Sequence, residues 1–217
     1  MAEVADDLRA ATEGQVVGII LDDSLRQFQN RNGKVAFEHR RLSRYGTMTA
    51  AEIASLPVAD FAAPVAHLYV WVPNALLSHG LAVMAAWGCT YKANIVWHKI
   101  RKDGGSDGRG VGFYFRNVTE LLLFGTRGPH ARTLAAGRRQ VNLIDTRKRE
   151  YFRRPDEIYP IIEACSPGPR LELFARGVRD GWTVWGNEAT DDCAPRWARY
   201  AHNSAAERRQ HGLFGSD

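Results

Sequence analysis

The strongest constraint on this chain is a rhythm. Runs rich in β-branched and aromatic residues recur at 16–21, 67–72, 91–98, 118–125, 170–175 and 182–185, and such runs read as strands. Helical stretches separate several of them. Thr49-Ala50-Ala51-Glu52 is a capping box that opens a helix running to Leu56. Residues 74–87 carry an apolar stripe at helical spacing and stop at Gly88. Pro155-Asp156-Glu157 reads as a third helix start, with proline at the first position and acids complementing the helix dipole. Pro160 inside that helix removes a backbone donor and is expected to bend or shorten it. The alternation predicts an α/β fold: a mostly parallel sheet with helices on both faces, whose ligands sit beyond the carboxyl ends of the strands.

Two long connections, 22–47 and 101–115, break the rhythm and read as lids or substrate loops. The second is rich in glycine over residues 103–112 but has neither phosphate-loop nor dinucleotide-fingerprint spacing, so phosphate cradling is not expected. A length of 217 residues suits one body, and 45% hydrophobic with 24% charged residues excludes wholesale disorder. No apolar run approaches the roughly 20 residues of a membrane span, and the acidic N-terminus lacks a signal core. A cytoplasmic protein with no membrane partner is the expectation. Cys89, Cys165 and Cys193 are widely spread and the seven histidines show no short ligand spacing, so neither disulfides nor a metal is expected. His98, at the end of a predicted strand, reads as a hydrogen-bonded structural residue rather than a pocket residue. Five of the tryptophans, 71, 87, 97, 182 and 185, read as core aromatics. A net charge of +5 is compatible with a polyanionic partner, and basic residues cluster at Arg40-Arg41, Arg138-Arg139, 147–149 and Arg153-Arg154.

Four segments in order carry a resemblance. They are 18–30 (GIILDDSLRQFQN), 112–124 (GFYFRNVTELLLF), 153–159 (RRPDEIY), and 171–176 (LELFAR) followed by 181–188 (GWTVWGNE). Together they resemble the MT-A70 family of S-adenosylmethionine-dependent N6-adenine methyltransferases, in its bacterial and phage branch. The resemblance implies a Rossmann-like class I methyltransferase fold in permuted order, with the catalytic motif before the cofactor strand. It divides the chain into an N-terminal extension (1–15), a methyltransferase domain (16–188) and a C-terminal tail (189–217).

An acid at a strand end can accept hydrogen bonds from ribose hydroxyls, the task the resemblance assigns to Glu172. It further implies contacts with S-adenosylmethionine from Asp22, Arg154, Pro155, Leu173, Phe174, Arg176, Asn187 and Glu188. Active members end the opening strand in Asp-Pro-Pro-aromatic. The Asp and the next carbonyl receive the target amine, the prolines hold that carbonyl rigid, and the aromatic packs on the base. Here Asp23-Ser24-Leu25-Arg26 occupies those four positions. The acid is kept, and both prolines and the aromatic are not. A second departure is Tyr151-Phe152, where close members carry a His-Ser pair.

Asp23 and Ser24 are therefore the candidate catalytic residues, with Arg26, Phe28, Tyr151 and Phe152 as candidates for binding the acceptor. Three readings follow. The first is an N-methyltransferase whose acceptor is a small-molecule amine, such as an amino sugar or a modified nucleoside, for which an aromatic clamp is dispensable. The second is a DNA adenine methyltransferase that flips its base, and the third a catalytically silent subunit that binds cofactor or nucleic acid. Monomer and homodimer stay open.

Overall fold

The computed structural model describes residues 2–25, 48–107, 112, 114–148, 153–186 and 189. Its centre is β1 (Val17–Asp22), buried along its whole length. A strand buried on both sides sends alternate residues to opposite faces. Val17 and Ile20 join one core with Leu68, Val70 and Val72 of β2 (Ala62–Val72). Ile19 and Leu21 join the other with Tyr69 and Trp71. The first core is covered by α1 (Ala2–Thr12), α2 (Ala50–Ala54), α3 (Val58–Phe61) and α4 (Leu77–Ala86), and the second by α5 (Ile158–Cys165).

Adding β3 (Thr90–Ile100), β4 (Thr119–Arg127), β5 (Leu143–Arg147), β6 (Arg170–Leu173) and β7 (Thr183–Trp185) completes a seven-stranded sheet in the order β5-β3-β4-β2-β1-β6-β7. Only β4 runs against its neighbours; the other pairings are parallel. The parallel strands therefore deliver their carboxyl ends to one edge, and β4 brings its amino end to that same edge. Gly80 lets α4 lie close to the sheet, because a Cβ there would fall 2.5 Å from a Val72 methyl.

The expected α/β layering is present, with local differences. The stretch taken as an extension carries α1, whose Leu8 is fully buried and whose Asp7 accepts a hydrogen bond from Trp185 Nε1 at 2.8 Å. β5 escaped the sequence reading because its buried interior is partly polar. Asp145 bonds His98 at 2.8 Å, and Thr146 receives the indole N–H of Trp97 at 2.9 Å. His98 also bonds Ser106 at 2.9 Å, so it fastens strand to loop, as expected of a structural histidine. Trp71, Trp87, Trp97 and Trp182 are core residues. The helix expected from residue 74 begins with a 3-10 turn, Asn74–Leu76, and Gly88 follows α4 at φ 74°, the left-handed conformation that ends helices. The expectation for Pro160 is corrected. α5 begins only at Ile158, so Pro160 is its third residue, where a missing N–H breaks no helical bond. Among the described residues no helix is long and apolar enough to cross a membrane.

The capping box forms as the sequence predicts: Glu52 N–H donates to Thr49 Oγ1 at 3.2 Å, and Thr49 N–H donates to Glu52 Oε2 at 2.7 Å. Thr49→Ala is expected to lower the unfolding free energy by about 1 kcal/mol, measured by urea denaturation; an unchanged midpoint would show that the cap contributes nothing.

Candidate active site

β1 and β6 are neighbours in parallel register, Leu21 opposite Glu172 and Asp22 opposite Leu173. Two acids thereby arrive together at the sheet edge, Asp23 just past β1 and Glu172 near the end of β6. Both are at least nine-tenths buried, and both line one small cleft of about 30 Å³ with Arg153, Arg154, Tyr159, Arg176 and Arg179. Buried charges must be paired, and the pairing here is extensive.

Arg154 holds the first acid. Its Nε donates to Asp23 Oδ1 at 2.8 Å, its Nη1 pairs with Glu120 at the start of β4, and its guanidinium lies 5.0 Å over the Trp71 ring. Lys99, at the end of β3, reaches Glu120 at 3.3 Å and extends the alternation of charge. Burial raises the Glu120 carboxyl, but the Arg154 and Lys99 charges override that and hold it below its ordinary value. Burial likewise pulls the Arg154 and Lys99 cations down, against the opposing pull of Glu120.

The second acid has a different neighbourhood. Tyr159 of α5 donates its hydroxyl to Glu172 at 2.9 Å. Arg179 stacks on the Tyr159 ring at 3.4 Å and bonds Asp156 at 2.9 Å, where Arg153 also bonds at 3.2 Å. Burial pushes the Glu172 carboxyl up to about 7, against the Tyr159 hydrogen bond and the Arg179 and Arg153 charges. After Leu173 the chain turns sharply: Phe174 adopts φ 57°, rare for a non-glycine residue. The turn carries Arg176 to the cleft.

Asp23, Arg154, Glu172 and Arg176, foreseen from the sequence, thus share one cleft. The others fall elsewhere. Asp22 is wholly buried beneath it, and Ser24 is turned back onto Asp22, donating its hydroxyl to Oδ2 at 2.7 Å and its N–H to Oδ1 at 3.1 Å. Burial lifts the Asp22 carboxyl to about 7, against those two bonds. Leu173 is core, Phe174 packs edge-on against Trp185, and the Pro155 carbonyl receives the N–H of Ile158. Arg26, Phe28, Tyr151, Phe152, Asn187 and Glu188 lie outside the described residues.

Sequence reasoning passed over Glu120, Lys99, Tyr159, Asp156 and Arg179. A signal existed for the first two. Glu120 is a charge inside the apolar run of β4, and Lys99 shares a strand face with buried Trp97, whereas His98 points to the other face. Chemically, the cleft offers an acid suited to a diol, flanking arginines suited to a carboxylate, and a second acid suited to an amine. That donor set fits an amino-acid nucleoside such as S-adenosylmethionine.

A sequence model described as MT-A70 matches residues 19–188. The chain is 30% identical over 148 residues to a probable N(6)-adenosine-methyltransferase MT-A70-like protein of Oryza sativa subsp. japonica, covering 66% of this chain and 20% of that protein. It is 30% identical over 152 residues to the N(6)-adenosine-methyltransferase catalytic subunit METTL3 of Homo sapiens, covering 66% and 25%. It is 25% identical over 151 residues to the type II methyltransferase M.MunI of a Mycoplasma species, covering 69% and 61%. The chain thus spans about a quarter or less of the plant and human relatives and about three fifths of the bacterial one.

The raised Glu172 carboxyl has a consequence for stability. With a folded value of about 7 against an ordinary 4.5, the folded state binds this proton more tightly than the unfolded chain. Its stabilisation is complete below about pH 4.5 and is lost as pH rises through 7. Glu172→Gln removes that loss, so between pH 5 and 8 the variant is expected to gain on the order of 2–3 kcal/mol relative to the unmodified protein. Urea denaturation at both pH values measures it; parallel pH slopes would refute the buried titration.

Proposed function

The chain belongs to the MT-A70 family, and from that membership we propose that it is an S-adenosylmethionine-dependent N6-methyltransferase acting on adenine in nucleic acid. One observation carries the reading: Asp23 and Glu172, from adjacent parallel strands, line the same cleft. Residues 16–188 make up the catalytic unit, of Rossmann-like methyltransferase type in permuted order, with α1 covering its β7 side.

When bound, S-adenosylmethionine supplies an electrophilic methyl group on a sulfonium sulfur. Glu172, steadied by Tyr159, accepts the ribose hydroxyls, and Arg176 with Arg179 answers the carboxylate of the amino-acid end. Asp23 accepts a hydrogen bond from the N6 amine, orients its lone pair and takes the proton released as nitrogen gains the methyl group. Arg154 gives up Asp23 to the amine while Glu120 retains it, so the cation stays in place through the exchange. The amine of adenine is a weak nucleophile because its lone pair is delocalised into the ring, and alignment by Asp23 answers that weakness.

A second reading, a small-molecule amine acceptor, is supported by the residues that follow Asp23. Ser24 is bound to Asp22, and Leu25 is buried in the first core, so neither offers a surface to a base.

Transfer of tritium from labelled S-adenosylmethionine to adenine-containing oligonucleotides, DNA and RNA, is the test, run beside a panel of small amines. Label on adenine N6 is expected; label on amines alone would give the second reading precedence, and no label with intact cofactor binding would mark a silent subunit. Asp23→Asn is expected to cut turnover about 10²- to 10⁴-fold with cofactor binding kept. Glu172→Ala is expected to weaken cofactor binding by roughly tenfold or more, read by calorimetry.

A further inference from the structure

The two most exposed large apolar side chains among the described residues are adjacent: Tyr114 at 82% and Phe115 at 86%. Leaving two aromatic rings in water forfeits the burial that would stabilise them in a core. Neither belongs to either hydrophobic core. In sequence they lie just before a residue of the charge network behind the cleft. Phe115 precedes Glu120 by five positions, a span of at most about 18 Å, and Glu120 holds the arginine that holds Asp23.

The base of this connection is fastened on both sides. Lys99 N–H donates to the Val118 carbonyl at 2.8 Å, and Asp107 N–H donates to the Lys99 carbonyl at 2.7 Å. Asn74 Nδ2 donates to Thr119 Oγ1 at 3.0 Å. A Cβ on Gly112 would lie 2.0 Å from the Phe115 carbonyl oxygen, so the backbones of Gly112 and Phe115 approach closely. The segments that follow β3 and β5 and precede β4 at this edge of the sheet are mostly basic, with Arg101, Lys102, Arg116, Arg147 and Lys148 against Asp103 and Asp107. Lys148 is paired with Asp107 at 3.1 Å and Arg101 with Asp103 at 3.0 Å, while Lys102 and Arg116 are exposed. Aromatic faces among cations on a rim suit one partner above others, a nucleic-acid strand, whose bases stack on the rings while phosphates meet the cations.

We propose that Tyr114 and Phe115 form a stacking platform for a base flanking the target adenine, gripping the strand outside the cleft while the target enters beside Asp23. This deepens the reading of the chain as an adenine methyltransferase and rests on it. The platform supplies, from the residues just before β4, an aromatic contact that the Asp23-Ser24-Leu25 turn does not.

The test uses the full chain and single-stranded deoxyoligonucleotides with 2-aminopurine beside adenine. Quenching of 2-aminopurine on binding is expected. Tyr114→Ala/Phe115→Ala is expected to abolish the quenching and weaken binding roughly ten- to hundredfold, with S-adenosylmethionine affinity and thermal unfolding unchanged. Phe115→Trp is expected to keep the quenching, and Phe115→Leu, similar in size but without a π face, to lose most of it. A double variant that quenches and binds like the unmodified protein overturns the platform, as does a Leu variant equal to Phe. Light scattering that shows a dimer dissociated by the double variant also overturns it, assigning the rings to a second copy of the chain. The two readings separate cleanly. Quenching that depends on the rings without any methyl transfer keeps the platform and sinks the methylation reading. Methyl transfer with an unchanged KM in the double variant sinks the platform alone.

Discussion

The parallel pairing of β1 with β6 is the constraint from which the site follows. Register places Leu21 opposite Glu172, so the end of one strand cannot present Asp23 without the other presenting Glu172. Carboxylates held in a poorly solvated corner lose hydration. The surroundings resolve this in two ways. Asp23 stays paired because Arg154 is brought to it, and Glu172 accepts a hydroxyl and takes on proton affinity instead. Tyr159, Trp71 and Glu120 serve this settlement, since each touches one of the charged groups.

The turn after β1 shows how the same strand tip can be held without proline. In the family pattern two prolines stiffen the backbone beyond the acid. Here Ser24 binds both oxygens of buried Asp22, through its hydroxyl and through its backbone N–H, a local Asx-type closure that fixes the chain across Asp23. Leu25 anchors the next position in the first core. Rigidity is retained by hydrogen bonding and packing. Among the described residues of this turn, Asp23 to Leu25, there is no aromatic side chain.

Much of this was legible in the residues. Strands rich in β-branched residues, the Thr49–Glu52 cap and the order of the quoted segments gave the layering and brought Asp23 and Glu172 together. What escaped has physical causes. β5 hides because Asp145 and Thr146 are buried as polar partners of His98 and Trp97, and an apolar period does not register such burial. Pro160 differs from expectation because α5 begins three residues after Pro155, and proline changes meaning with its position in the first turn. Lys99 and Glu120 escaped because they acquire their roles only when β3 and β4 lie side by side beside Arg154. Pairing between distant segments leaves little trace in local composition.

The reversed direction of β4 carries one more implication. Because β3 ends at the rim and β4 starts from it, the segment between them is a hairpin connection with both feet fixed in the sheet. Lengthening such a connection costs little in closure entropy and does not disturb the acids at the neighbouring strand tips. Its length can therefore drift in evolution by insertion and deletion at this one place, with the acids at the neighbouring strand tips left where they are.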